Sequence, residues 1–571
     1  MRTISGIAAS PGIAIGPIFV YVQVDLKFER IQTHDTASEW SRLEQALSVA
    51  ATQLTSIRSG ANRNIGEQEG AIFMAQAAML QDPELLAMAR KNLEASQLNV
   101  EAAWCDATEH YAHLLESLET EYMRARATDV RDVSRRVLGV LLGVAESSPH
   151  LPDAPSIICA EDLSPSDTVG LDKKQVLGFC TAGGGETSHT AILARALGLP
   201  AMVGVGGQLA GLAHGNQAIL SGSEGKLFVD PSETVVRDYQ LRQGTDRASR
   251  LEALGESHLP ATTTDGHRVE VVANIGDAQG AKRALELGAE GVGLLRTEFL
   301  YLGRSGTPSE EEQYRAYRDI LTTFGALPVI LRTLDIGGDK EIPYLNLAHE
   351  TNPFLGVRGI RLCLARPDLF KPQLRAALRA GVGCNLKIMF PMIAVADEVR
   401  RARKILEECR EELLQEGLAV ADDTEVGIMV EVPSAALSAE RLAPIVDFFS
   451  IGTNDLSQYT LAVDRTNAAV SSLSSAFSPA VLRLIHEVVR AAHRHRKWVG
   501  LCGELAGDVS AVPLLVGLGL DELSMNPIAI PAVKKAIRSL TLKECTSLAE
   551  AAMGLEDASA VRALLASLAR F

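Results

Sequence analysis

The sequence predicts a multidomain α/β protein in which a small α/β domain carries an inserted all-helical subdomain and is followed by a (β/α)8 TIM barrel. Three observations lead to this prediction. The chain has 571 residues, which is too many for one ordinary domain. A long helical pattern stands between two strand-like regions in the first half of the chain. Strand and helix patterns then alternate throughout the second half.

The first half of the chain places a helical block inside a domain of short strands. Residues 3–24 are strand-like, and residues 155–230 return to short strands and turns. Between them glycines are few and Ala, Leu and Glu are many, which favours amphipathic helices. These helices are predicted at 36–58, 67–80, 82–95, 99–124 and 129–144. The predicted boundaries are 1–34 and 147–230 for the α/β domain, 35–146 for the helical subdomain, 231–260 for a linker helix or hinge, and 261–571 for the barrel.

The second half of the chain contains eight candidate strands separated by helical segments. Eight βα units over about 300 residues are typical of a TIM barrel. The strands are predicted at 269–275, 291–297, 329–335, 386–392, 425–432, 447–453, 498–503 and 521–525.

Composition narrows the class of protein. The chain is 47% hydrophobic and carries a net charge of −16, which suits a globular protein and argues against a nucleic-acid partner. The N-terminus lacks the apolar core of a signal peptide, and the apolar runs are shorter than a membrane span. The eight cysteines are scattered and form no CxxC pair, as expected for a reduced cytoplasm. We therefore expect a cytoplasmic protein that is not inserted in a membrane.

The stretch GGGETSHTAILAR, residues 183–195, is the most informative motif of the first half. Ser188 is a good N-cap, and it places His189 in the first turn of a helix that stops near Gly198. The free N–H groups at a helix start favour an anion, so an imidazole there could attack phosphorus and hold the phosphoryl group as a covalent nucleophile. The alternative is an ordinary polar histidine beside a glycine turn.

Charged and polar residues collect at the carboxyl ends of the predicted barrel strands, where TIM barrels carry their chemistry. Charges there are costly unless they are paired or used. Arginines suit phosphate and carboxylate groups, and two nearby carboxylates suit Mg²⁺, so we expect a small phosphate-bearing ligand that binds with Mg²⁺. The alternative is a set of separate structural ion pairs. The residues concerned are Arg296, Glu298, Arg332, Asp335, Glu431, Asn454, Asp455, Cys502 and Glu504 at strand ends, with Arg358 and Arg465 in the loops that follow.

At these positions the chain resembles enzyme I of the bacterial phosphoenolpyruvate-dependent sugar phosphotransferase system. The resemblance covers essentially the whole length. Its motifs are TSHTAILAR at 187–195, NPFLG at 352–356, FSIGTNDLSQYTLA at 449–462 and LCGELAGD at 501–508.

The resemblance implies that phosphoenolpyruvate and Mg²⁺ bind in the barrel. His189 matches the histidine that accepts the phosphoryl group, Thr168 the hydroxyl that hydrogen-bonds it, and Cys502 the residue proposed to protonate the enolate and give pyruvate. Glu431 and Asp455 match the metal ligands. The positions that match residues around the substrate are Arg296, Arg332, Arg358, Asn454 and Arg465.

The resemblance also implies partners. The helical subdomain would dock a small histidine-containing phosphocarrier protein, and the barrel would form a homodimer. Arg126 and Arg131 match basic positions near the active histidine, while Glu186 stands where close relatives often carry arginine. Because His189 must reach both the barrel and the carrier, we expect a swivel about the linker. Residues in the predicted docking helices include Glu67, Gln68, Gln76, Met79, Glu84 and Leu85.

Two alternatives remain at this point. A dikinase or phosphoenolpyruvate synthase has similar histidine and barrel domains, but it needs a further ATP-binding domain for which the chain leaves no room. A regulatory scaffold without activity would be expected to have lost members of the charged set, which is intact here. We therefore expect phosphoryl transfer from phosphoenolpyruvate to His189 and then to a histidine of the carrier.

Overall fold

The structure is a computed structural model of the chain. It describes residues 1–22, 26–64, 76–116, 121–144, 154–163, 167, 175–185, 188–302, 304, 306–338, 342–345, 347–348, 350–465, 467, 470 and 473–567. These residues form two compact units, Met1–Ala248 and Ser249–Phe571.

The first unit is built on an eight-stranded sheet in the order β1-β8-β7-β3-β4-β5-β6-β2. Apolar side chains from both faces of the sheet form two separate cores, and one of them packs the helix that begins at His189. The short strand Ala201–Val203 lies within residues 155–230, where the sequence predicts short strands and turns. The strands are β1 Arg2–Ser5, β2 Ile7–Ser10, β3 Ile13–Tyr21, β4 Ser156–Ala160, β5 Val176–Thr181, β6 Ala201–Val203, β7 Gln217–Ser221 and β8 Lys226–Val229.

Among the described residues, four long helices separate β3 from β4 along the chain, as the helical pattern predicts. Residues 65–75, which hold most of the predicted helix 67–80, lie outside the described residues. They are α1 Thr36–Asn64, α2 Pro83–Ser96, α3 Val100–Glu116 and α4 Glu121–Leu141. They enclose a core of their own around the buried Trp104. The predicted break between 124 and 129 is wrong, because α4 already begins at Glu121. Residues 121–128 are mostly good helix formers and continue the helix without a stop signal.

Two further helices complete this part of the chain. The helix α5, His189–Leu197, follows the glycine run. The helix α6, Glu233–Gly255, starts in the first unit and ends in the second.

The second unit is a closed barrel of eight parallel strands, which confirms the predicted fold. All eight predicted strands are present, and most end one to three residues earlier than predicted, so the polar residues of the motifs stand just beyond them. The barrel strands are β9 Glu270–Ile275, β10 Val292–Arg296, β11 Val329–Arg332, β12 Leu386–Phe390, β13 Glu425–Val430, β14 Phe448–Ile451, β15 Trp498–Leu501 and β16 Glu522–Met525.

Helices surround the barrel and cover its apolar outer face, which forms one large core with the strands. They are α7 Ala278–Glu286, α8 Glu310–Phe324, α9 Ile360–Ala365, α10 Pro367–Ala380, α11 Ala396–Gln415, α12 Pro433–Leu437, α13 Ala439–Leu442, α14 Thr453–Leu461, α15 Pro479–Arg494, α16 Val512–Gly517, α17 Ile530–Arg538, α18 Leu542–Met553 and α19 Ala558–Ser567. Within the described parts of the chain, no helix is both long enough and apolar enough to cross a membrane.

Candidate active site

The carboxyl ends of the barrel strands bring together a dense cluster of buried charges. Arg332 is the last residue of β11, Glu431 follows β13 directly, and Asp455 lies in the first turn of α14. Each is less than one-tenth exposed. The barrel thus converts positions far apart in the sequence into one site, as parallel strands that end at one rim require.

Arg358 is the centre of this cluster, and its side chain is only 2% exposed. Its guanidinium donates to both carboxylate oxygens of Asp335 at 3.0 and 3.1 Å. It donates equally to both oxygens of Asp455 at 3.0 Å each. Burial opposes the charge, but the two carboxylates outweigh it and raise the pKa of Arg358. Paired geometry of this kind fixes both carboxylates in position.

Arg332 extends the same network. It donates to Glu298 at 2.7 Å and lies 3.1 Å from Asp335, so Asp335 is shared by two arginines. Burial opposes the charge of Arg332, but Glu298 and Asp335 outweigh it and raise its pKa. Glu298 and Asp335 lie in the strand-end motifs of the predicted barrel, but the sequence analysis assigned them no role. The pattern that could have identified them is a carboxylate two or three residues after an arginine at a strand end.

Glu431 is a buried carboxyl of this site whose pKa is strongly raised. Its side chain accepts a hydrogen bond of 2.6 Å from the backbone N–H of Met392. Burial, and then the charges of Asp455 and Asp335, raise the pKa of Glu431 to about 8, against the opposing effect of Arg358 and Arg332. Near neutral pH this carboxyl therefore holds a proton in the absence of a cation.

The donor set fits Mg²⁺ in its chemistry. Among the described residues no three His, Cys, Asp or Glu side chains are placed so that they could hold a metal ion together. Two carboxylates are nonetheless enough, because Mg²⁺ keeps several waters and takes further oxygens from a phosphate. A carboxyl that holds a proton against its usual pKa is also a position where a cation can replace that proton.

Cys502 follows β15 directly and is 5% exposed. Its backbone N–H donates to the carbonyl of Ile451 at 3.0 Å, and its thiol lies 3.6 Å from the same oxygen. Burial raises the pKa of the thiol to about 11, although Ser450 and Arg332 work in the opposite direction. The side chain is therefore a protonated thiol beside the charged cluster and can serve as a proton donor.

The remaining predicted barrel residues lie around this cluster. Arg296 ends β10 and is near enough to Cys502 to lower the thiol's pKa. Asn454 connects to Glu504 through two hydrogen bonds of 3.3 Å. Arg465 lies beyond α14, and its backbone N–H donates to Gln458 at 3.1 Å. These three side chains are more exposed than Arg332 and Arg358.

The second predicted centre is the start of α5. Ser188 caps this helix and accepts a hydrogen bond from the N–H of Ala191, and Gly198 closes it with a φ of 69°. Gly184 has a φ of +87°, and a Cβ there would lie 2.9 Å from the Ser188 hydroxyl, so the turn depends on glycine. The helix begins at His189, which confirms the predicted cap and helix. The side chain of His189 lies outside the described part of the structure.

Several predicted neighbours of His189 also lie outside the described residues, namely Thr168, Glu186 and the side chain of Arg126. Asp167, which precedes Thr168, accepts a hydrogen bond of 2.6 Å from the Tyr21 hydroxyl. Arg131 is described, and it pairs with Glu109 at 3.1 Å and with Glu116 at 2.5 Å on the surface of the helical subdomain.

Two of the residues predicted for the docking helices are buried inside the helical subdomain. Leu85 is 2% exposed and belongs to the core of the helical subdomain, and Gln76 is buried and donates to Asp132 at 3.0 Å. Neither side chain is accessible to a partner, because both are buried inside the helical subdomain. Glu84 is exposed and Met79 is half-buried, while Glu67 and Gln68 lie outside the described residues.

Models of known protein families match three segments of the chain. The family described as PEP-utilising enzyme, PEP-binding domain, matches residues 251–542. The descriptions PEP-utilising enzyme, N-terminal, and PEP-utilising enzyme, mobile domain, match residues 5–126 and 152–225. The barrel fold and these matches together define a phosphoenolpyruvate-utilising enzyme.

Similar proteins narrow the class. The chain is 47% identical over 560 residues to the phosphoenolpyruvate-protein phosphotransferase of Geobacillus stearothermophilus, covering 98% of this chain and 97% of the relative. It is 45% identical over 565 residues to that of Bacillus subtilis (strain 168), covering 99% of each. The chain belongs to the family of phosphoenolpyruvate-protein phosphotransferases, and the resemblance seen in its motifs is confirmed.

Proposed function

We propose that this chain transfers the phosphoryl group of phosphoenolpyruvate to His189, releases pyruvate, and then passes the group to a histidine of a small phosphocarrier protein. Membership of the family makes it an enzyme that phosphorylates protein from phosphoenolpyruvate. The observation that carries the residue-level proposal is the buried cluster of Arg332, Arg358, Glu431 and Asp455 at the barrel rim.

The arginines divide into two groups. Arg296 and Arg465 are only partly buried, so they can meet the phosphate and carboxylate of the substrate as it enters, together with Asn454. Arg358 has four hydrogen bonds to carboxylates, and we assign it the role of positioning Asp335 and Asp455. Arg332 is intermediate between the two groups. Its guanidinium pairs with Glu298 and Asp335, but its Nε has no hydrogen-bond partner among the described residues and is left for a ligand.

Glu431 and Asp455 would hold Mg²⁺, which neutralises charge on the transferring phosphate when bound. The two side chains are already fixed, Glu431 by the N–H of Met392 and Asp455 by Arg358. Fixed ligands favour catalysis because they need no rearrangement as charge moves in the transition state.

Cys502 would protonate the enolate that remains when the phosphoryl group leaves. A raised pKa keeps its thiol protonated at neutral pH, so the proton is present before the reaction starts. Protonation on carbon gives pyruvate and makes the transfer favourable. His189 would accept the phosphoryl group at a helix start, where backbone N–H groups and the helix dipole stabilise the anion, with Thr168 orienting the imidazole.

We further propose a homodimer through the barrel, docking of the carrier on the helical subdomain, and a location in the cytoplasm. Large apolar side chains are exposed on barrel loops and short helices, including Leu355 at 66% and Leu437 at 74%. Glu84 on the helical subdomain suits a basic carrier.

The helix α6 supports a swivel between the half-reactions. In the first unit its residue Gln243 donates to the carbonyl of Ile13 at 2.8 Å. In the second unit Lys535 donates to Ser249 and Glu252 at 2.9 and 2.6 Å. Residues 244–248 lie between these anchors and include Gly244, which weakens a helix by about 1 kcal/mol relative to alanine. We propose residues 244–248 as the hinge.

Locking the two units in one pose with a reducible crosslink is expected to block one half-reaction and spare the other. Labelling of His189 from phosphoenolpyruvate and discharge to the carrier are measured separately. Reduction of the crosslink should restore both half-reactions in the same sample. If both persist in fully crosslinked protein, the swivel is rejected.

Incubation with phosphoenolpyruvate labelled in its phosphoryl group, in the presence of Mg²⁺, tests the proposed function directly. The wild type is expected to gain acid-labile label with stoichiometric pyruvate. The His189→Ala variant is expected to lose at least about 10³-fold in labelling, because the covalent nucleophile is gone. Equal label on both proteins would show that another residue is the acceptor, and no label on folded wild type would reject the transfer.

A further inference from the structure

The interior of the barrel contains polar groups below Cys502 that the proposed transfer does not use. Ser450 on β14 pairs in register with Gly500 on β15, and Gly500 pairs with Glu522 on β16. Gly500 lies two residues before Cys502 and therefore on the same, inward face of β15. Ser450 likewise follows the inward Phe448 by two residues. Three adjacent strands thus present one layer of positions directly beneath the Cys502 thiol.

Glu522 reaches into the space that Gly500 leaves open. A Cβ on Gly500 would lie 2.7 Å from Oε1 of Glu522, so the carboxyl occupies the place of a side chain there. Glu522 itself is 3% exposed. The missing side chain of Gly500 thereby removes the barrier between Glu522 on one side and Ser450 on the other.

Both polar groups of this layer are incompletely satisfied. The Ser450 hydroxyl and Oε1 of Glu522 are buried, and neither has a hydrogen-bond partner of ordinary geometry among the described residues. An unsatisfied buried polar group is destabilising, so two of them on either side of Gly500 call for an explanation. The Ser450 hydroxyl nevertheless lies close enough to Cys502 to lower the pKa of the thiol, as a loose hydrogen bond would.

The charges around Glu522 favour its protonated form. Burial, with Glu270 on β9 and Asp521 on the adjoining turn, raises the pKa of Glu522 to about 8, while Lys387 on β12 acts in the opposite direction. Lys387 is itself paired with Glu425 and lies over the ring of Trp498. Glu270 is exposed, so the register position next to Glu522 reaches solvent at the amino-terminal mouth of the barrel.

We propose that Glu522 and Ser450 form a proton relay that returns a proton to Cys502 from the opposite end of the barrel. The inference rests on the proposed role of Cys502 as proton donor. The substrate and the charged cluster lie at the carboxyl-terminal end, so resupply from the other end leaves that site undisturbed.

Each proton in the relay passes from a named donor to a named acceptor. The C=C electron pair of the enolate takes the proton of the Cys502 thiol, the enolate oxygen becomes the carbonyl of pyruvate, and sulfur keeps the S–H electron pair as a thiolate. The thiolate takes the proton of the Ser450 hydroxyl, which takes the proton of the Glu522 carboxylic acid through one water molecule. The Glu522 carboxylate regains a proton from solvent at the mouth of the barrel.

Two isotope exchanges, run in one solution of D₂O with Mg²⁺, phosphoenolpyruvate and carbon-labelled pyruvate, separate the relay from the transfer. Exchange of carbon label into phosphoenolpyruvate needs only that Cys502 give and take back a proton. Entry of deuterium into the pyruvate methyl group, above the rate without enzyme, needs Cys502 to exchange with solvent. The ratio of the two rates therefore reports the relay alone.

The Glu522→Gln variant is expected to keep carbon exchange and to lose deuterium entry by about 10²-fold. The matched control is Glu286→Gln, which replaces an exposed carboxylate on the outer helix α7 and should keep the wild-type ratio. An unchanged ratio in Glu522→Gln overturns the relay. If that variant loses both exchanges, Ser450→Ala decides by the same ratio. Absence of carbon exchange in the wild type instead rejects the proposed function, so the two failures are distinguishable.

Discussion

The Arg358→Met variant is expected to lose about 3–5 kcal/mol of the barrel's unfolding free energy at neutral pH, because it removes the guanidinium that pairs with buried Asp455 and one of the two arginines that pair with Asp335. This guanidinium donates four hydrogen bonds to Asp335 and Asp455, and all three side chains are buried. Without it, three carboxyl groups including Glu431 remain near each other. We expect phosphorylation of His189 to be lost as well, since Asp455 is then no longer held.

The stability loss is determined at neutral pH. Urea unfolding followed by hydrogen exchange on barrel peptides measures this for the barrel alone. The full chain is used for both proteins.

The matched control is Arg366→Met, which removes an arginine from the same barrel. Arg366 pairs with Asp368 at 2.8 Å, but the two side chains are 39% and 61% exposed. An exposed pair of this kind contributes about 0–1 kcal/mol. A loss below about 1 kcal/mol in Arg358→Met, equal to the control, would contradict a central role for Arg358.

The charged positions were predictable because a barrel has a simple geometry. Once eight strands are recognised, Arg332, Glu431 and Cys502 must meet, since each stands at the same end of a parallel strand. Which of them contact one another was not predictable. Arg358 reaches Asp335 and Asp455, which lie 23 and 97 residues away, and no local pattern encodes such contacts.

Local signals also failed where tertiary packing decides. Leu85 lies near the start of α2, where its exposed neighbour Glu84 suggested a docking surface, but the packing of four helices turns Leu85 inwards. Met392 holds Glu431 with a backbone N–H from a residue of positive φ, 57°, in a position that the sequence would not assign to methionine. By contrast, the cap of α5 at Ser188 is local chemistry, and the sequence predicted it correctly.

We expect Mg²⁺ binding to depend on pH through Glu431. Its pKa is raised from 4.5 to about 8 in the folded protein without metal, so the folded state holds a proton that the unfolded state releases. The metal-free barrel should therefore lose stability as pH rises from about 4.5 to about 8, by at most about 1.4 kcal/mol per pH unit. A cation that binds this carboxylate must displace the proton. The apparent Mg²⁺ affinity should thus rise about tenfold per pH unit below pH 8 and level off above it.

The Glu431→Gln variant is expected to bind Mg²⁺ at least about 10²-fold more weakly and without the pH dependence, because an amide cannot supply the charge of a carboxylate. Calorimetric titration in two buffers of different ionisation enthalpy measures affinity and released protons together. Glu522→Gln is the matched control, since burial raises the pKa of that carboxyl to about 8 as well, at the other end of the barrel. The control should keep both the Mg²⁺ affinity and its pH dependence. A wild-type affinity that stays constant between pH 6 and pH 8 would mean that Glu431 does not bind the cation, and Asp455 would then have to bind it with ligands other than Glu431.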